Sequence, residues 1–411
     1  MLEPDLLRGL FEAAVAAADP AKVVPPHLPS PPPGRTLVLA AGKAAASMAR
    51  AVEQCRPNDI EGIAVTRYGH GVDCQLIQVV EAGHPLPDEA GQGVASRFLS
   101  AAADLGPDDL LLFLLSGGAS ALLVEPLPGL SLADKRAINR ALLEAGAPIA
   151  EMNCLRKHLS AIKGGRLAAA AAPARVMTLA ISDVPGDDPA VIGSGPTSAD
   201  PTSCADALAV AGRYAIKLPE TARTALEQGR WETVKPGDPC LARTDYVLVA
   251  RPADALAAAA AKAREMGFDV FRLGDDLQGE ASDIGAAHAE LARKQATGLL
   301  ISGGETTVTA KHRGGRGGPN CEYLLALAVA LDGAPNVHAI ACDTDGIDGT
   351  SEAAGALIGP ETLARARAAG MDARDMLARH DSYEFFRRLG DLVVTGPTRT
   401  NVNDFRAVLV T

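Results

Sequence analysis

Six short apolar runs, each released into a loop of small or polar residues, constrain this chain more than any other feature. They are Thr36–Ala40, Leu110–Leu115, Val176–Ile181, Tyr246–Ala250, Gly298–Ile301 and Val337–Ala341, and a helical pattern follows most of them. Runs apolar on both faces predict parallel strands covered by helices on each side, the grammar of a doubly wound α/β sheet. At 411 residues the chain exceeds one ordinary core, so two domains with a cleft between them are expected. Hydrophobic residues make up 47% but aromatics only 3%, so small aliphatic side chains fill the interior, as close helix-on-sheet packing requires.

Ahead of the first run, Leu6, Leu7, Leu10, Phe11, Ala14 and Val15 recur at helical spacing. A stiff proline connector, Pro25-Pro26 and Pro31-Pro32-Pro33-Gly34, follows that helix. A composition change over residues 228–243, with Gly229, Trp231, Pro236, Gly237 and Pro239, marks a domain boundary. The net charge of −11 argues against nucleic acid as a partner, because phosphate neutralisation needs a basic field. Seven dispersed cysteines without a C-x-x-C pair indicate neither a disulfide framework nor a zinc site. No signal-peptide pattern and no uninterrupted apolar stretch of about twenty residues is present, so a cytoplasmic chain with no membrane partner is expected.

In an open α/β sheet, ligands bind beyond the carboxyl ends of the strands, so each post-run loop is a candidate by position. Three of these loops are alike: Gly42-Lys43, Ser116-Gly117-Gly118-Ala119-Ser120 and Ser302-Gly303-Gly304-Glu305-Thr306. Each presents small residues whose backbone N–H groups can cradle an anion, although a Gly-Gly pair also serves as a simple tight turn. Two standard fingerprints fail. Leu37 stands where a Walker loop needs its first glycine, and no G-x-G-x-x-G opens a helix after a strand.

Basic residues cluster in one segment, Asn153–Arg166. A helix there sets Leu155, Leu159 and Ile162 on one face and Asn153, Arg156, Lys157, Ser160 and Lys163 on the other. Such a charged face is either solvated or holds an anionic substrate. Acidic residues fill two further post-run loops, Ser182–Asp188 with Asp187 and Asp343–Gly349 with Asp345. Carboxylates at strand ends suit Mg²⁺ on nucleotide phosphates or proton acceptance from a hydroxyl, and they also suit plain Asx turns. The Lys311–Glu322 loop joins glycines to Arg313, Arg316 and Asn320, and a late polar stretch holds Thr400, Asn401, Asn403 and Asp404.

Taken jointly, SGGASAL at 116–122, RKHLSAIKGGRLA at 156–168, SDVPGDDPAVIGSGPT at 182–197, SGGETTVT at 302–309, DTDGIDG at 343–349 and TNVNDF at 400–405 are specific. With them the chain resembles the class II glycerate kinases, the MOFRL-domain family, some of whose members have been labelled hydroxypyruvate reductase. The resemblance implies an N-terminal Rossmann-like doubly wound domain over residues 1–235, a smaller C-terminal α/β MOFRL domain over 236–411, and an active site in the cleft. It implies transfer of a phosphoryl group from ATP, with Mg²⁺, to D-glycerate, giving 2-phosphoglycerate. Lys43 is then the active-site lysine, Asp345 the acidic loop residue and Asn403 the late asparagine. Pro319 stands where many relatives carry arginine, so Arg316, three residues earlier, becomes the candidate for that charge.

On this reading, direct in-line transfer rests on positioning and charge neutralisation. Ser116, Gly117, Gly118, Ser120, Ser302, Gly303, Gly304, Glu305, Thr306, Asn320 and Asn403 hold the nucleotide. Lys43 and Arg316 neutralise the moving group, Asp187 or Asp345 holds Mg²⁺ or takes the hydroxyl proton, and Arg156, Ser160 and Lys163 meet the glycerate. Two rivals make different predictions. An NAD(P)H-dependent hydroxypyruvate reductase consumes NADH, and a non-catalytic nucleotide-binding module binds ATP without turnover. Oligomeric state stays open, with a homodimer as the arrangement to test.

Overall fold

A computed structural model describes residues 3–309 and 315–411. They form two compact units, Pro20–Val249 and the residues through Asp19 together with Ala250–Thr411. The units' limits therefore differ from 1–235 and 236–411 at both ends. Residues 236–249 stay with the N-terminal unit because Thr244–Ala250 is the last strand of its sheet. The first helix, Glu3–Ala17, belongs with the C-terminal part. Its Gly9 carbonyl accepts the Lys262 ammonium at 2.8 Å, and Phe11 lies 6.1 Å from Phe405, ring centre to ring centre.

The N-terminal unit is built on six strands: β1 Thr36–Ala41, β2 Ile60–Arg67, β3 Ile77–Ala82, β4 Leu110–Leu115, β5 Arg175–Ile181 and β6 Thr244–Ala250. Their order is β3-β2-β1-β4-β5-β6, with parallel pairing across β3, β2, β1, β4 and β5. Every residue of β1 and β4 is buried, as strands covered on both faces must be. The strand order reverses between β1 and β4, so their carboxyl ends open the crevice where such sheets bind ligands. Lys43 follows β1 there, and Ser116 follows β4.

In the C-terminal unit, beside a short parallel pair of Gly279–Glu280 with Thr306–Thr307, the six strands of the main sheet are β7 Val270–Gly274, β8 Gly298–Ser302, β9 Val337–Asp343, β10 Gly355–Ile358, β11 Leu392–Val393 and β12 Asp404–Val410. Their order is β11-β10-β9-β12-β8-β7. This sheet is mixed: β7 and β8 pair parallel, whereas β12 runs antiparallel to both β8 and β9. The Gly298 run thus keeps one parallel neighbour, β7, whereas the Val337 run is antiparallel to its neighbours on either side, which corrects the all-parallel arrangement expected of the two runs. Both are buried strands, but a seventh apolar run, Phe405–Val410, inserts between them, and the terminal loop gives way to strand at Asp404. Burial on both faces comes from helix cover, which an antiparallel neighbour permits as well.

The basic segment is also reshaped. The helix ends at His158, and Gly164 and Gly165 take positive φ values of 59° and 81° before a new helix begins at Arg166. Asn153, Lys157, Ser160 and Lys163 are buried, so this is an interior polar face and not a solvated one. Lys157 finds its counter-charge in buried Asp200 at 2.8 Å. Among the described residues no helix is long and apolar enough to cross a membrane.

Candidate active site

At the β1–β4 switch the backbones of the two loops are locked to one another. The Lys43 N–H donates to Gly117 O at 2.8 Å, and the Ala44 N–H donates to Ser116 Oγ at 3.0 Å. Gly42 takes φ +129°, and a β-carbon on it would lie 2.2 Å from Ser116 Oγ. Only glycine fits that approach. A β-carbon on Gly118, also at positive φ, would stand 3.1 Å from the His84 ring and 3.2 Å from Lys43 Cγ. Lys43, His84 and the Ser-Gly-Gly turn are therefore immediate neighbours. Lys43 itself is half-buried, its carbonyl held by Thr66 Oγ1 at 3.2 Å.

Behind this turn lies a polar chain. Lys163 Nζ donates to Ser120 O at 2.6 Å and reaches Ser120 Oγ at 3.0 Å, and that hydroxyl shares a 2.8 Å hydrogen bond with Ser194. Burial, with Lys135 and Arg156 nearby, holds the Lys163 ammonium well below the ordinary lysine range. Ser160 Oγ donates to Glu125 O, and Arg156 Nε donates to Asn139 Oδ1 at 2.9 Å. Of the three residues read as meeting the acceptor, Ser160 and Lys163 face protein groups. Arg156 is half-buried.

Asp187 sits in the loop after β5 at φ +54°. Its Oδ1 is buried without a hydrogen-bond partner, an orphaned hard oxygen of the kind that binds a divalent cation. Asp187 and Asp188 lie close enough to Tyr246 to add to the burial that raises its phenol pKa.

In the C-terminal unit the expected residues gather about a pair that the motifs did not single out. Arg406, 1% exposed, donates to Gly303 O at 3.1 Å, Gly304 O at 3.3 Å and Thr306 Oγ1 at 3.0 Å, and it pairs with Asp404. Asn320 Nδ2 reaches the other Asp404 oxygen at 2.7 Å. The Asp404 N–H donates to Asn403 Oδ1, and Asp345 lies near enough to raise the Asp404 pKa, to which burial contributes most. Asp345 is buried, and its Oδ1 accepts the Ile347 N–H at 2.7 Å in an Asx turn. Glu305 points outward from the same loop.

Asp348 caps the Pro319–Leu331 helix, accepting the N–H groups of Asn320 and Cys321 at 2.9 Å each. Burial pushes its pKa up to about 6. Pro319 occupies the first turn of that helix, where its missing N–H costs nothing. Arg316 stands apart from the cluster, exposed, with its guanidinium 4.6 Å over the Tyr383 ring. Residues 310–314, including Lys311 and Arg313 of the expected Gly-Arg loop, lie outside the described residues.

Sequence reasoning missed Arg406 and His84, and it held Asp404 and Asp348 only as members of their polar and acidic loops, without a role of their own. An arginine inside the apolar run Phe405–Val410 was the available signal for the first, because a buried guanidinium needs a built partner set.

A family known only as a domain of unknown function, DUF4147, matches residues 6–227, and the MOFRL family matches residues 298–404. The chain is 54% identical to an Agrobacterium vitis protein named provisionally as a hydroxypyruvate reductase, over 98% of this chain and 94% of that one. It is 40% identical to the glycerate 2-kinase of Pyrococcus horikoshii, over 92% and 88% respectively. The crystal structure of glycerate kinase from Thermotoga maritima superposes with a TM-score of 0.88 at 36% identity, covering 99% of both chains.

Proposed function

We propose, from the premise that this chain belongs to the MOFRL-domain family of class II glycerate kinases, that it transfers the terminal phosphoryl group of ATP to the 2-hydroxyl of D-glycerate. The observation that carries this reading is the occupied backbone at the β1–β4 switch. A dinucleotide pyrophosphate binds a strand-order switch through free amides after the first strand. Here the Lys43 and Ala44 amides are already spent on Gly117 and Ser116, and what the turn offers instead is the Lys43 side chain. That favours charge neutralisation of a phosphoryl group over nicotinamide binding, and with it the kinase over the reductase.

Catalysis then follows from positioning and electrostatics. Lys43 neutralises charge on the transferred group. Lys163 acts through Ser120, fixing the Ser-Gly-Gly-Ala-Ser turn, and is a positioning residue. Arg156 pairs with the glycerate carboxylate. In the C-terminal unit, Arg406 and Asp404 hold the Ser302–Thr306 turn in shape for nucleotide phosphates, and Asp345 takes the hydroxyl proton. The orphaned Asp187 oxygen fits Mg²⁺, which would neutralise nucleotide phosphate charge when bound. Arg316 supplies the second positive charge in place of the arginine that Pro319 replaces. Loss of turnover by more than a few-fold in Arg316→Ala supports that role, and unchanged turnover removes it.

Phosphorus NMR of the product made from D-glycerate and ATP tests the assignment. A 2-phosphoglycerate resonance is expected, and 3-phosphoglycerate alone would refute the regiochemistry.

A further inference from the structure

His158, Cys204 and Glu232 come together on the N-terminal unit although 74 residues separate the first from the last. His158 closes the Ile149–His158 helix, Cys204 opens the Cys204–Arg213 helix, and Glu232 lies in the loop after the Glu220–Glu227 helix. One ligand atom from each lies within 4.8 Å of the others. We propose that these three side chains form a zinc site, completed by solvent, that ties the ends of two helices to the 228–235 loop.

The imidazole carries the argument. His158 Nδ1 lies 2.9 Å from the carbonyl oxygen of Cys154, which can only accept, so Nδ1 carries the proton. In the neutral ring Nε2 is then a lone pair, and it faces Glu232 Oε1 at 3.1 Å. Two acceptors at that distance repel unless a positive centre lies between them. That centre is a second ring proton or a metal ion. A ring that donates its far N–H to a backbone carbonyl is oriented as metal-binding histidines are.

Cys204 decides between the two. The Cys204 thiol is buried beside both groups and hydrogen-bonds to the Glu232 carboxylate, and its own N–H donates to Glu232 Oε2 at 3.2 Å, so a third donor of metal-binding type converges on the same point as the imidazole and the carboxylate. Thiolate, imidazole and carboxylate on one centre is a donor set that suits zinc, with metal bonds of about 2.0–2.3 Å. Tetrahedral bonds of that length set ligand atoms about 3.3–3.8 Å apart. The present cluster therefore closes on the ion by side-chain rotation of about 1 Å. Glu232 is the partly exposed member, which leaves the fourth position to water.

Lys235 opposes the ion. Its Nζ lies 2.6 Å from Glu232 Oε1 and must turn away for the carboxylate to bind metal, which its partial exposure allows. Arg166 reinforces the scaffold by donating to the Trp231 and Glu232 carbonyls at 2.7 and 3.1 Å. The dispersed cysteines gave no sign of this site in the sequence, because its ligands meet only in space.

The test uses the full chain, stripped of metal by chelation and titrated with zinc or cobalt chloride alone. One equivalent of zinc should bind, cobalt should give a thiolate-to-metal absorption band, and zinc should raise the Tm by several degrees. Cys204→Ser should lose the band, and Lys235→Ala should bind zinc at least tenfold more tightly. X-ray absorption of the zinc-loaded wild type should show one sulfur in the first coordination sphere. That measurement decides the matter even if Cys204→Ser fails to fold. A wild type that binds no zinc, or binds it through oxygen and nitrogen alone, overturns the proposal. So does a cobalt band that survives in a folded Cys204→Ser.

Discussion

Lys43 and Arg406 show the two opposite uses this chain makes of a positive charge. Lys43 stands half-buried at the strand-order switch with its backbone committed and its side chain beside a Ser-Gly-Gly turn. Removing a group that stabilises developing charge costs about 10²–10³-fold in kcat. Lys43→Ala should therefore lose at least about 10²-fold in glycerate-dependent ADP release while keeping its Tm; a loss of only a few-fold would show that the lysine does not meet the transferred group. Arg406 is buried, and its donors go to Gly303, Gly304, Thr306 and Asp404. Removing one partner from a buried pair costs about 3–5 kcal/mol. Arg406→Met should show that loss in chemical denaturation, and Asp404→Leu added to it should return part of it. A single variant as stable as wild type would mean that the Ser302–Thr306 turn stands without the arginine. The place of Lys43 in the loop after the first strand was legible in the sequence, because Gly42-Lys43 closes a short apolar run. Arg406 was not, since pairing across β8 and β12 places it, and no local pattern reports that pairing.

The elements carry their own tests. The β1 turn requires φ +129° at Gly42 and leaves no room for a β-carbon beside Ser116. Gly42→Ala must shift the turn against Ser116, so a Tm drop of several degrees and a comparable fall in activity are expected; a variant with wild-type Tm and kcat would contradict the close approach. The Pro319–Leu331 helix begins on Asp348, whose folded-state pKa is raised from 3.8 to about 6 by burial. Between those values the folded chain keeps a proton that the unfolded chain has released. Its contribution to stability is thus fully present in acid and falls as pH rises through that window. Asp348→Asn should remove this share of the slope between urea midpoints taken at about pH 4 and about pH 7. An unchanged slope would mean that Asp348 is ionised throughout. All six expected strands exist, because apolar runs of this length are strong local signals. The antiparallel strand that separates those near Gly298 and Val337 was not legible, since burial of both faces does not distinguish a parallel neighbour from an antiparallel one. Nor did helical spacing reveal that Asn153–Arg166 breaks after His158. Past the helix end Ser160 bridges to Pro126, and Gly164 and Gly165 pack so closely on Thr233 and Val234 that a β-carbon on either would collide, contacts far along the chain that no local pattern reports.

For the whole molecule, composition and loop grammar predicted two α/β units, and the family signature predicted their chemistry. The assignment of the first helix to the C-terminal part depends on contacts with Lys262 and Phe405, more than 240 residues away, which no reading of the N-terminus could supply. The same holds for the choice between kinase and reductase. Relatives carry both names, and the N-terminal strand order suits either ligand, so the decision falls on which atoms at the switch remain available to one. The most direct measurement gives the purified protein D-glycerate, ATP and Mg²⁺ in one reaction and hydroxypyruvate with NADH in another. ADP release that depends on glycerate, with no NADH consumed, is the predicted result. NADH oxidation without ADP release would contradict the account at its centre.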